Sequence, residues 1–147
     1  MAYSVSPVKV LFICTHNSAR SQMAEGLLSS LGGDKVEVHS AGMVATKVKP
    51  EATQVMNELG VDIEHQYSKV LDRFVNQRFD FVITVCDRAN ESCPIFPNAD
   101  NRMHWSIEDP SSAEGSDEEM LTEFRKARDE LKRRIEDELL PYLTAAQ

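Results

Sequence analysis

VKVLFICTHNSARS, Val8 to Ser21, changes character at its midpoint. Val8 to Cys14 is almost continuously apolar and β-branched, the composition of a parallel strand covered on both faces. From Ser21 onward Met23, Leu27, Leu28 and Leu31 recur at helical spacing until Gly32-Gly33 supplies a stop. Strand, polar loop and helix thus follow one another in the manner of a βαβ unit.

Working outward, VEVHS (Val36 to Ser40) reads as a second strand. Pro50 opens a helix with Ala52, Val55, Met56 and Leu59 on one face, closed by Gly60. A short helix is predicted from Ser68, with Val70, Leu71, Phe74 and Val75 as its apolar side. FDFVITVC, Phe79 to Cys86, repeats the first strand's signature and also ends in cysteine. RMHWSI, Arg102 to Ile107, is a weaker strand. Ser116 with Glu119 forms a capping box ahead of a long helix carrying Met120, Phe124, Leu131, Ile135 and Leu139, with Pro141 near its end. Alternating strands and helices predict an α/β fold, a four-stranded parallel open sheet with helices on both faces. Ligands of such sheets bind at the carboxyl ends of the strands near the topological switch point, where Cys14 and Cys86 would both lie.

The 147 residues suit one domain, 1–147, with a real core. A net charge of −8 offers no basic surplus for nucleic acid, although a local cradle can still hold a small anion. No stretch has the ~18 to 20 apolar residues of a membrane span and no signal peptide is visible, which predicts a cytoplasmic protein. Three cysteines, Cys14, Cys86 and Cys93, are too few for a disulfide framework and suit reduced thiols. No feature suggests an obligate interface, so a monomer is expected.

CTHNSARS has the form C-x5-R followed by serine. Backbone N–H groups of a tight loop feeding a helix N-terminus make an anion cradle, and the Arg20 fork adds charge-assisted bonds to a tetrahedral oxyanion. That positive field favours the thiolate of Cys14, an activated nucleophile beneath the bound anion. Asn17 tolerates left-handed backbone geometry and can tie the loop, and Ser21 can donate to the Cys14 sulfur. Thr15, His16, Ser18 and Ala19 form the loop walls. The competing reading makes Cys14 a buried strand-end thiol and Arg20 a surface residue. The position between a strand and a helix favours the functional one.

These residues, with HSAG (His39 to Gly42), EDP (Glu108 to Pro110) and VCDRANESCP (Val85 to Pro94), resemble the low-molecular-weight phosphotyrosine phosphatase superfamily and, within it, the thioredoxin-coupled arsenate reductases. The likeness runs through essentially the whole chain and implies the phosphotyrosine phosphatase I-like fold. Two departures separate it from a plain phosphatase. Ala19 stands where the phosphatase loop usually has a second cysteine, and Ser111-Ser112 follow Asp109-Pro110 where an aromatic residue is usual.

The resemblance implies that Cys14 attacks arsenate while Asp109, with Glu108 as the backup candidate, protonates the departing oxygen. Cys86 then attacks the adduct and releases arsenite. Cys93 resolves the Cys14–Cys86 disulfide, and thioredoxin reduces the resulting Cys86–Cys93 disulfide; the residues alone leave glutaredoxin or mycothiol open as donors. A helix over residues 86 to 93 would hold the two Cα atoms roughly 10 Å apart. A disulfide tolerates only about 4.4 to 6.8 Å, so the segment has to unwind on oxidation. Some family members hold a potassium ion beside the loop. The matching residues here are Asn17, Glu25 and Ser40, but Lys69 stands in place of an aspartate, so little potassium dependence and no metal cofactor are expected. A zinc site is disfavoured because no C-x2-C or H-x3-H spacing occurs. A low-molecular-weight protein tyrosine phosphatase and a non-catalytic oxyanion or redox sensor remain alternatives.

Overall fold

The computed structural model describes residues 6–87 and 95–145. Its centre is a four-stranded, wholly parallel sheet made of β1 (Val8–Cys14), β2 (Val36–Gly42), β3 (Phe79–Thr84) and β4 (Ala99–His104) in the order β2-β1-β3-β4. The chain leaves β1 for β2 on one side and later returns to β3 on the other. The loop after β1 therefore lies at the switch point, where open α/β sheets bind ligands.

The alternation of β1 builds two cores. Val10 and Phe12 face α1 (Arg20–Gly32), α2 (Pro50–Asn57) and α3 (Asp117–Arg134), packing with Met23, Leu27, Val55, Met56, Phe124 and Leu131. Leu11 and Ile13 face the other way, into a smaller core with Phe74, Phe79, Val82 and Phe96. The three long helices thus share one face. Among the described residues the other face is covered by a 3-10 helix, Leu71–Phe74, whose Phe74 meets Phe79 edge-on with ring centroids 6.0 Å apart. Truncating a fully buried ring such as Phe12 or Phe124 to alanine costs roughly 3–5 kcal/mol.

Several elements depart from the sequence expectation. Only one 3-10 turn forms after Ser68, with Val70 and Val75 exposed; Val70 instead bridges to Gly42. β3 stops at Thr84, although the Val85 N–H still reaches Ile13 O at 2.8 Å. β4 begins at Ala99 and ends at His104 rather than covering Arg102 to Ile107; as an edge strand it leaves Asp100, Asn101 and Arg102 to solvent. The capping box forms as read, Ser116 accepting from Glu119 N and Glu119 from Ser116 N. The long helix is interrupted by a π-helical turn, Ile135–Leu139, before α4 (Leu140–Ala145). Pro141 explains the turn: its ring cannot accommodate the carbonyl four residues back, and one extra residue lets the Leu140 N–H bond Ile135 O instead.

Candidate active site

α1 begins directly on the loop. Its first turn holds no acidic residue and its N-cap position, Ala19, provides no capping side chain. First-turn N–H groups of a helix have no intrahelical partner, so this end is suited to an anion.

Asn17 gives the loop its shape. It has φ 50°, the only positive φ among the described non-glycine residues, and it is fully buried. Its amide nitrogen donates to Ser21 Oγ at 2.7 Å and Ser40 Oγ at 3.0 Å, and its oxygen accepts from Lys69 N at 2.8 Å and Gln22 Nε2 at 2.9 Å. All four hydrogen-bonding positions of the amide are used, which fixes its orientation. Ser21 Oγ in turn stands 2.8 Å from Cys14 Sγ. Cys14 itself is 2 % exposed, at the base of the loop.

A second layer supports these contacts. Ser40 Oγ donates to Glu25 Oε1 at 2.6 Å, and Lys69 Nζ lies 3.8 Å from the same oxygen. Lys69 also donates to Tyr67 O at 2.6 Å and sits over the Tyr67 ring. Burial holds the Lys69 ammonium below its ordinary pKa; Glu25 opposes that shift and Arg73 adds to it. Gln22 and Gln66, which the sequence reading did not single out, complete the layer. Gln22 bonds Asn17 O and Tyr67 O, and Gln66 bonds both oxygens of Gln22. Gly42 is also essential to this packing, because a Cβ there would lie 2.7 Å from Asn17 N and 2.8 Å from Thr15 O.

Arg20 is 2 % exposed and is anchored by donation from Nη1 to Ile107 O at 3.0 Å. Its Nη2 lies 3.7 Å from Asp109 Oδ2, so the predicted arginine and acid do come together. Asp109 accepts from Ser111 N at 2.9 Å and from Ser111 Oγ at 2.6 Å, both through Oδ1. Glu108 is exposed beside it. A cleft of about 1010 Å³ opens over this region, with Thr15, His16, Met43, Asp87, Ile107 and Asp109 in its walls. His16 and Ser18 also line a neighbouring cleft with Lys47 and Lys49.

Cys86 is fully buried, with Sγ 3.9 Å from Ile13 O. It follows Val85, whose N–H bonds Ile13 O, so it lies just past the end of β3, the strand beside the one that Cys14 ends. Both cysteines are present as thiols rather than in a disulfide. Cys93 lies outside the described residues.

The sequence profile of the low molecular weight phosphotyrosine protein phosphatase family matches residues 9–145. An arsenate reductase of Halalkalibacterium halodurans is 45 % identical over 126 residues, covering 86 % of this chain and 91 % of that one. A solved arsenate reductase in its phosphate-binding state superimposes with a TM-score of 0.76 at 35 % identity, over 88 % of this chain and 95 % of that one. The thioredoxin-dependent arsenate reductase of Corynebacterium glutamicum gives a TM-score of 0.73 at 34 % identity, over 98 % of this chain and 66 % of the other. On the profile match across residues 9–145 and the identity shared over most of both chains, the chain belongs to the low molecular weight phosphotyrosine protein phosphatase family, alongside its arsenate reductases.

Proposed function

We propose that the protein reduces arsenate to arsenite in the cytoplasm through a relay of Cys14, Cys86 and Cys93, with thioredoxin as the reductant. The reading rests above all on two buried thiols on adjacent strands, Cys14 ending β1 at the foot of the oxyanion loop and Cys86 two residues past β3. A purely hydrolytic enzyme has no chemical use for the second thiol.

In this scheme the loop amides and Arg20 hold arsenate over Cys14. The Cys14 thiolate forms an S–As bond as an As–OH bond breaks, and the departing hydroxyl takes a proton from Asp109 to leave as water. The Cys86 thiolate then attacks the Cys14 sulfur. The S–As bond breaks with its electron pair on arsenic, which leaves as arsenite, while two thiolates become one disulfide. Cys93 attacks Cys86, frees Cys14, and leaves a disulfide for thioredoxin. The Cys86 and Cys93 Cα atoms have to come within about 4.4 to 6.8 Å for that bond to form.

Arsenate-dependent NADPH oxidation in the presence of thioredoxin and its reductase is the direct test. Activity in the wild type and its loss in Cys14→Ser, Cys86→Ser and Cys93→Ser alike supports the relay. Turnover with glutaredoxin or mycothiol but not thioredoxin would replace the named reductant. Hydrolysis of aryl phosphates that depends on Cys14 alone, with no arsenate turnover, would make the protein a phosphatase. Weak phosphatase activity alongside arsenate reduction is part of the proposal, because the loop and acid also serve phosphoryl transfer.

Lys69 Nζ, 3.8 Å from Glu25 Oε1, would brace Glu25 and the loop as the resemblance has a potassium ion do, and in this scheme the reaction needs no potassium. Several-fold activation by potassium over sodium at equal ionic strength would refute this.

A further inference from the structure

The Asp109 carboxyl group is held asymmetrically. Its Oδ1 accepts two hydrogen bonds from one residue, from Ser111 N at 2.9 Å and Ser111 Oγ at 2.6 Å. Its Oδ2 faces the loop side, 3.7 Å from Arg20 Nη2. The backbone beneath is fixed as well: Pro110 is buried and opens a 3-10 helix, Pro110–Ser112, and Ser112 N bonds Asp109 O at 3.1 Å. The freedom left to the acid is rotation of the carboxyl group, which exchanges its two oxygens in a broad, two-fold torsional well.

We propose that Ser111 is a positioning residue that decides which oxygen of Asp109 delivers the proton. With two donors aimed at Oδ1, a hydrogen on that oxygen would oppose the Ser111 N–H and displace the hydroxyl. The neutral acid therefore carries its hydrogen on Oδ2, towards Arg20 and the loop. When the S–As bond forms at Cys14, the departing hydroxyl takes the hydrogen from Oδ2, and the carboxylate left behind remains bonded to Ser111 through Oδ1. No electron changes hands in this step. The proposal rests on the reading of Asp109 as the general acid. It adds a reason for serine at a position where, by the resemblance, a phosphatase carries an aromatic residue.

The test is a cycle of Ser111→Ala, Asp109→Ala and the double variant, read as the single-turnover rate of arsenite formation at saturating arsenate. Ser111→Ala is expected to lower that rate about 10-fold with the half-saturating arsenate concentration changed less than about twofold, part of the 10²–10⁴-fold range of general acid catalysis. Ser111→Thr, which keeps both donors, restores most of the loss. In the Asp109→Ala background Ser111→Ala changes nothing further, because the group it orients is gone. An unchanged rate in Ser111→Ala, or an equal loss with and without Asp109, overturns the proposal; the second result would make Ser111 a scaffold residue only.

A readout without arsenate separates this from the reductase reading. Hydrolysis of aryl phosphates by the loop and acid draws on the same proton donor, so Ser111→Ala is expected to slow phenyl phosphate more than 4-nitrophenyl phosphate, whose leaving group needs little protonation. Equal slowing of the two rejects the Ser111 role even if arsenate is reduced. Unequal slowing in a protein inert towards arsenate leaves the role standing and rejects the reductase.

Discussion

Ser21 Oγ lies 2.8 Å from Cys14 Sγ while accepting a hydrogen bond from Asn17 Nδ2 at 2.7 Å. The amide fills one acceptor site on the hydroxyl, and once the sulfur is a thiolate, which can only accept, the hydroxyl hydrogen turns to it. Hydrogen bonds to charged groups contribute about 1.5–3 kcal/mol, so Ser21→Ala is expected to slow the single-turnover reaction with arsenate by about 10-fold or more. Stopped-flow mixing at fixed pH reads this directly. A variant that reacts as fast as the wild type would mean that the serine contributes only packing.

Asn17 combines two properties that can be separated by substitution. Its φ of 50° favours glycine, and its side chain makes four hydrogen bonds. Asn17→Gly keeps the backbone and loses the bonds, whereas Asn17→Ala loses both. Left-handed geometry costs an ordinary L-residue roughly 1–2 kcal/mol, so the alanine variant should be less stable than the glycine variant by about that amount in urea denaturation. Equal stability would show that the loop relaxes out of this conformation.

Gly42 shows how closely β2 approaches the loop. A Cβ there would fall 2.7 Å from Asn17 N, 2.8 Å from Thr15 O and 2.9 Å from His16 C. All three atoms are backbone, so the loop itself has to move. Overpacking of this kind costs typically about 1–3 kcal/mol. Gly42→Ala is therefore expected to lower the unfolding midpoint and, more tellingly, to weaken inhibition by phosphate about 10-fold or more. Normal phosphate inhibition in a destabilised protein would place the strain elsewhere.

What the sequence conveyed depended on whether a residue's role is local. β1 is legible because seven residues of apolar, β-branched character have few alternatives, and the Ser116–Glu119 box because both partners lie within one helical turn. Asn17 was legible too, through its tolerance of left-handed geometry. β4 was misplaced because an edge strand can expose Asp100, Asn101 and Arg102, which locally resemble a turn. Gln22 and Gln66 gave no signal, since a buried amide pair has meaning only once residues |i−j| = 44 apart are brought together. Ser111 carried only the signal of a polar turn. The basic residues of α3 read as a solvated face, and Lys126, Arg133 and Arg134 do pair within the helix with Glu123, Glu130 and Glu138. Arg125 and Arg128, besides pairing within the helix with Glu118 and Asp129, reach across to Glu58, beyond α2.

That last contact sets a pH dependence of stability. Arg125 grips both oxygens of Glu58 and Arg128 bonds Oε1 at 2.8 Å while also bonding Val55 O, so the three side chains clamp α2 to α3. The opposite side of α3 walls the cleft above the loop through Glu123, Lys126 and Ala127, which ties this clamp to the shape of the site. The hydrogen bonds from Arg125, then those from Arg128, lower the Glu58 pKa from 4.5 to about 2. A carboxyl group whose pKa is lower in the folded than in the unfolded state stabilises the fold above its unfolded pKa, and the contribution disappears as the pH falls towards the folded one. Wild type should therefore exceed Glu58→Gln in urea midpoint at neutral pH, and the gap should close between pH 4.5 and about 2. The other carboxylates titrate in both proteins and cancel in the difference. High salt should narrow the gap at neutral pH, because the pair is partly exposed and screened. A gap of the same size at both ends of the pH range would assign it to the shape of the side chain rather than to its charge.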